Sequence, residues 1–174
     1  TSFNLMTGVS ATDNVSAANS INITTSGTFN VNSAGTYTIT YTAKDLAGKT
    51  TTKTRKITVN KKITLNFEKN GAGSISATTA SCTITSGTTC TLTTPTINGS
   101  TNTPTVIGWN TSASANTSSV GSGKTLTVSS SNNGAKYYAI TRKDAVTYTA
   151  NFDANGATLS ATTASCTINA TYNG

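Results

Sequence analysis

Few side chains in this sequence could carry out chemistry. They are three cysteines (Cys82, Cys90, Cys166) and five carboxylates (Asp13, Asp45, Glu68, Asp144, Asp153), in 174 residues that include neither His nor Gln. Cys82 and Cys90 flank the segment TITSGTT. Its Ser86-Gly87 centre suits the reversal of an antiparallel hairpin, which sets the two cysteines opposite each other. A cross-strand disulfide is the leading expectation, and a pair of reduced core thiols is the alternative that a reducing compartment would favour. Zinc is a poor fit, because a closed site needs four ligands and no imidazole exists to complete one. Cys166 recurs in the sequence context of Cys82, so its partner is expected outside the segment, beyond Gly174.

Nucleophilic triads need a base such as His, and general acid–base work needs carboxylates gathered in one cleft. Here Asp13, Asp45, Asp144 and Asp153 all sit beside predicted turns and Glu68 ends a predicted strand, so turn formation is the expected role of the aspartates. A calcium site involving Asp13 or Asp45 is the functional rival. The run GSGKT, Gly121 to Thr125, imitates the end of a phosphate-binding loop. The full pattern requires Gly six positions before Lys124, and Ser118 stands there. The downstream LTVSSS alternates like a strand and does not open the helix that would hold phosphate. No enzyme activity, cofactor or metal is expected.

The formal net charge is +7, and eight of the twelve basic residues fall between Lys44 and Lys69. Readers of nucleic acid interleave such charges with stacking aromatics, but only Phe67 lies between Lys49 and Lys69, so nucleic-acid binding is not expected. Solvated edge strands guarded by lysines are the plain explanation, and attraction to an anionic cell wall or glycan is the alternative. Six N-x-[ST] sequons, at Asn14, Asn22, Asn98, Asn110, Asn116 and Asn169, are about what so much Asn, Ser and Thr yields by chance. No apolar run approaches the roughly 18 residues needed to span a bilayer, so membrane contact is not expected of this segment. The sequence does not begin with Met and reads as a segment of something larger.

The elements that must position these residues are strands. Hydrophobic residues make up 34% and charged residues 10% of the chain, too little charge for disorder and just enough apolar material for thin cores. Thr, Val, Ile and Tyr at alternate positions, with Gly, Asn and Ser between runs, predict an all-β protein. In residues 1–60 the period-two runs are Ile21 and Ile23, Phe29 and Val31, then Tyr37, Ile39, Tyr41 and Ala43, and finally Lys53, Arg55, Ile57 and Val59. The basic pair of the last run shares the parity of its apolar residues, so it is expected where the inner face runs out to solvent. GVSATDN, followed by AGTYTITYTAKDLAGKTTTKTRKITVN, resembles bacterial immunoglobulin-like domains of surface and secreted proteins. The resemblance implies a small β-sandwich over 1–60, with Ile57 in place of the first Val of the closing strand.

Residues 61–174 contain an internal repeat. FEKNGAGSISATTASCTI, Phe67 to Ile84, matches FDANGATLSATTASCTI, Phe152 to Ile168, with one residue dropped. The period of about 85 residues suits a small tandem domain better than a solenoid unit. NFDANGATLSA, with TPTI, IGWNTSASA and KYYAIT, resembles the Listeria–Bacteroides repeat of bacterial surface proteins. That resemblance implies compact β-grasp-like units, one over 61–144 and the first half of another over 145–174, with Trp109 as a core residue and not a sugar-stacking platform. Together the resemblances imply a structural or adhesive segment of an extracellular multidomain fibre, a stalk or assembly module. Its partners would be other copies or other domains of the same surface protein. A carbohydrate- or cell-wall-binding module, or the accessory region of a surface hydrolase, is the alternative.

Overall fold

The computed structural model describes residues 2–173, the side chain of Asn19 excepted. The protein is nearly all β, as the alternation predicts: fourteen strands and two three-residue 3-10 helices make up the regular structure of the described residues. It divides into two compact units, one of Thr1–Ile63 with Thr83–Cys90, the other of Thr64–Cys82 with Thr91–Gly174.

The first unit is built on a three-stranded antiparallel sheet in the order β1 (Asn22–Ser26), β2 (Gly35–Lys44), β3 (Thr50–Val59). Tyr37, Ile39, Tyr41 and Ala43 share one face of β2. They stand opposite Ile57, Arg55, Lys53 and Thr51 of β3, the parity read from the sequence. Ile39 is fully buried and Tyr41 nearly so, whereas Lys53 and Arg55 are exposed. The Asp45–Lys49 turn closes this hairpin, with the Asp45 carboxylate accepting the Lys49 N–H at 2.8 Å. Residues before β1 form no strand but are tied to the same face. The Tyr41 hydroxyl donates to the Leu5 carbonyl at 2.7 Å, Arg55 Nη1 donates to that of Thr7 at 3.3 Å, and Phe3 packs on Phe29, itself edge-on to Tyr37. One run departs from expectation: Phe29 to Val31 is not a strand. The Asn30 side chain accepts the Asn32 N–H at 2.9 Å and the Asn30 carbonyl accepts that of Ser33, which bends the chain into a turn.

In the rest of the chain follow β4 (Lys61–Glu68), β5 (Ser74–Ile75), β6 (Thr79–Ile84), β7 (Thr89–Thr93), β8 (Ile97–Asn98), β9 (Thr105–Asn110), β10 (Thr125–Ser129), β11 (Lys136–Lys143), β12 (Val146–Asn151), β13 (Thr163–Ile168) and β14 (Thr171–Tyr172). The main sheet has the order β14-β11-β4-β6, with β9 also pairing β11. Its centre is a parallel pair, β4 against β11, with Phe67 opposite Tyr137. Short ladders β7–β10 and β5–β8 close around it, and β12–β13 forms a separate hairpin. The core consists of Leu65, Phe67, Trp109, Val128, Tyr137, Ala139 and Ile140, all below one-tenth exposed. Thr supplements the scarce apolar side chains. Thr94, Thr103 and Thr141 are buried, and their hydroxyls are satisfied by Gly121 and Lys124 carbonyls or by one another. No buried side-chain polar atom of the described residues lacks a partner. Among the same residues, no helix is long and apolar enough to cross a membrane.

Candidate functional site

Strands β6 and β7 bracket the Ser86-Gly87 turn, where Gly87 takes φ 71°, a left-handed conformation that any other side chain would strain. The half-buried Cys82 and Cys90 are disulfide-bonded, as the spacing about Ser86 predicts. Cys166, on β13, is free and exposed.

Trp109 is placed by its neighbour. Gly108 has φ 139°, and a Cβ there would come within 2.6 Å of the Val120 carbonyl oxygen, so the missing side chain lets Val120 pair closely against β9 as an antiparallel bridge to Trp109. Trp109 itself donates its backbone N–H to that carbonyl at 2.7 Å. Its ring is fully buried, edge-on to Phe67 with centroids 4.8 Å apart, and Nε1–H donates to the Pro95 carbonyl at 2.9 Å. It is a core residue and offers no stacking face to a sugar.

The carboxylates are occupied with local structure. Asp13 accepts backbone N–H groups of Val15 and Ser16 at 3.3 and 2.8 Å, and Asp153 accepts that of Asn155 at 2.9 Å. Asp144 accepts the Thr105 hydroxyl at 2.7 Å and Arg142 Nε at 2.6 Å, and Glu68 pairs with Lys136 across the parallel strands at 3.4 Å. The structure brings Asp13 and Asp45 to one small groove of about 220 Å³ with Lys49 beside them. No group of three or more metal-ligating side chains forms among the described residues. The Ser16 backbone and hydroxyl hold the Asp13 carboxyl below its ordinary value, as the Thr105 hydroxyl and then Arg142 do for Asp144. Both groups therefore favour the folded state above the ordinary carboxylate range and stop doing so as pH falls through their lowered values. Carboxyl-carbon NMR titration should show both midpoints below 3.8, and an Asp144 midpoint at or above it would refute the Thr105 contact.

The GSGKT run is a turn leading into β10. The Thr94 hydroxyl donates to the carbonyls of Gly121 and Lys124 and accepts the Lys124 N–H, while Ser122 Oγ accepts the Ile97 N–H at 2.7 Å. Lys53 and Arg55 line an open groove of about 430 Å³ between β2–β3 and residues 8–12, with Tyr41 and Ile23 at its floor. Two asparagines that sequence reasoning passed over are structural clamps: Asn66 Nδ2 donates to the Gly134 carbonyl, and Asn70 Nδ2 to those of Ala113 and Ala139. Their recurrence as Asn151 and Asn155 was the available signal.

The geometry thus defines an all-β scaffold whose polar groups serve turns, edges and core satisfaction. Comparison with known families agrees for its first third. Residues 1–59 match the family described as bacterial surface protein, Ig-like domain, and no family match covers the repeats that follow. No curated protein and no solved structure is significantly similar to the chain.

Proposed function

We propose that the chain is a structural stalk or assembly module of a multidomain protein displayed on the bacterial surface, working by extension and joining and not by chemistry at a site. The observation that carries this reading is the match of residues 1–59 to the Ig-like domain of bacterial surface proteins. Asp13 and Asp45 committed to turns, a buried Trp109 and a disulfide suited to an oxidising compartment support it. In this reading 1–60 is one Ig-like domain, 61–144 a complete repeat and 145–174 the first half of a second.

A binding role for cell-wall polymer or acidic glycan is favoured by one observation, the exposed Lys53 and Arg55 at the edge of the larger groove. A glycan array combined with a salt titration separates the two. A spacer shows no saturable binding at physiological salt, whereas binding that saturates there and is lost in Lys53→Ala/Arg55→Ala establishes the second reading.

A further inference from the structure

The second copy of the repeated sequence folds as an isolated hairpin with one apolar face open to solvent. On that face Val146, Tyr148 and Ala150 of β12 stand opposite Ile168, Cys166 and Ala164 of β13, and Phe152 continues it. All of these are exposed, Tyr148 at 61% and Phe152 at 51%. The first copy shows what covers such a face. There Leu65, Phe67 and Ala72, the counterparts of Ala150, Phe152 and Ala157, are no more than 2% exposed. β11 lies parallel along β4, and Phe67 is stacked on Tyr137 and edge-on to Trp109. Asn66 and Asn70 reach across to carbonyls at Gly134, Ala113 and Ala139, all within residues 91–143.

The uncovered copy already has the geometry of the covered one. Asn155 takes φ 44°, as Asn70 does. The turn bond Ala157 N–H to Ala154 carbonyl matches Ala72 to Lys69, both 2.9 Å, and Phe152 N–H to Thr162 carbonyl matches Phe67 to Thr78, both 2.8 Å. Among the described residues the side-chain amides of Asn151 and Asn155 have no hydrogen-bond partner, and both residues are exposed.

We infer that β12–β13 is a preformed acceptor for a half-repeat with the chemistry of residues 91–143. An aromatic strand adds parallel to β12 at Asn151–Asp153, a Gly-Trp strand beyond it sets its indole against Phe152, and two backbone carbonyls receive the Asn155 amide. A second copy of this chain is not the occupant, because its own residues 91–143 already cover its own first half and withdrawing them would expose as much surface as it buried. Pre-organisation of the acceptor lowers the ordering cost of this strand addition, and the inference does not depend on where the protein resides.

The test adds a peptide spanning residues 91–143 to the full chain and follows hydrogen exchange. A fusion carrying the same stretch after residue 174 through a flexible linker serves as a second arm that does not require the peptide to be soluble alone. Saturation, with exchange of the Thr149–Phe152 amides slowed by at least about tenfold, is expected in the mixture or the fusion. Phe152→Ala and Asn155→Ala in the chain, or Trp109→Ala in the added stretch, should remove that protection, while Thr149→Ala on the opposite face should leave it. Protection absent from both arms, protection indifferent to Phe152 and Asn155, or protection that the chain acquires alone with rising concentration would each overturn the inference.

Discussion

Trp109→Ala is expected to remove about 3–5 kcal/mol from the unit that contains it, a large share of what a small domain has. The indole is the largest fully buried side chain and lies beside Phe67, itself stacked on Tyr137, so its loss opens a void in the contact between β4, β9 and β11. The cavity cannot collapse easily, because the backbone of residue 109 is held on both sides, its N–H donating to the Val120 carbonyl at 2.7 Å and its carbonyl accepting the Val120 N–H at 3.2 Å. Trp109→Phe should cost less, about 1–2 kcal/mol, since the Pro95 carbonyl loses its indole donor and keeps only the Gly123 N–H at 3.2 Å. Trp109 is the sole tryptophan, so far-UV circular dichroism during urea unfolding is the suitable readout. A midpoint for Trp109→Ala within error of the parent would show that the ring does not organise this core.

Reduction of the disulfide, or the Cys82→Ser/Cys90→Ser variant, is expected to lower stability by about 2 kcal/mol. The bond closes a short loop, so it restricts the unfolded chain only modestly; a longer loop would contribute more. Because the variant keeps the Ser86-Gly87 turn, the hairpin should re-form and the loss should appear mainly as a lower denaturation midpoint, with a slope raised slightly by the less compact unfolded chain. Equal midpoints with and without reductant would sink the prediction. Cys166, free and exposed, should react with a thiol reagent in the native protein, while the other two cysteines become reactive only after reduction.

Much of this was legible in the sequence because strands and turns are written locally. The alternation of Tyr37, Ile39, Tyr41 and Ala43 specifies which face of β2 is buried, and the Asp45–Lys49 turn and the Ser86-Gly87 turn announce themselves by residue type. The pairing of Cys82 with Cys90 followed from a turn centred between them. Phe29 and Val31 misled for an equally local reason: period two is a necessary sign of a strand but not a sufficient one, and Asn30 offered the backbone a competing hydrogen bond.

Non-local pairing could not be read in this way. Nothing in the alternation of β4 or β11 says that two strands some 70 residues apart run parallel, or that Asn66 and Asn70 will find carbonyls in the later segment. The repeated phrase SATTASCTI makes the division plain. Both occurrences carry the same residues and fold into the same local backbone, yet Cys82 is half-buried and bonded while Cys166 is exposed and free. Sequence determined the strand, its turn and its apolar face in each copy, because these depend on a residue and its near neighbours. Tertiary structure alone decided which face is a core and which a surface, because burial depends on whether a distant strand arrives to cover it.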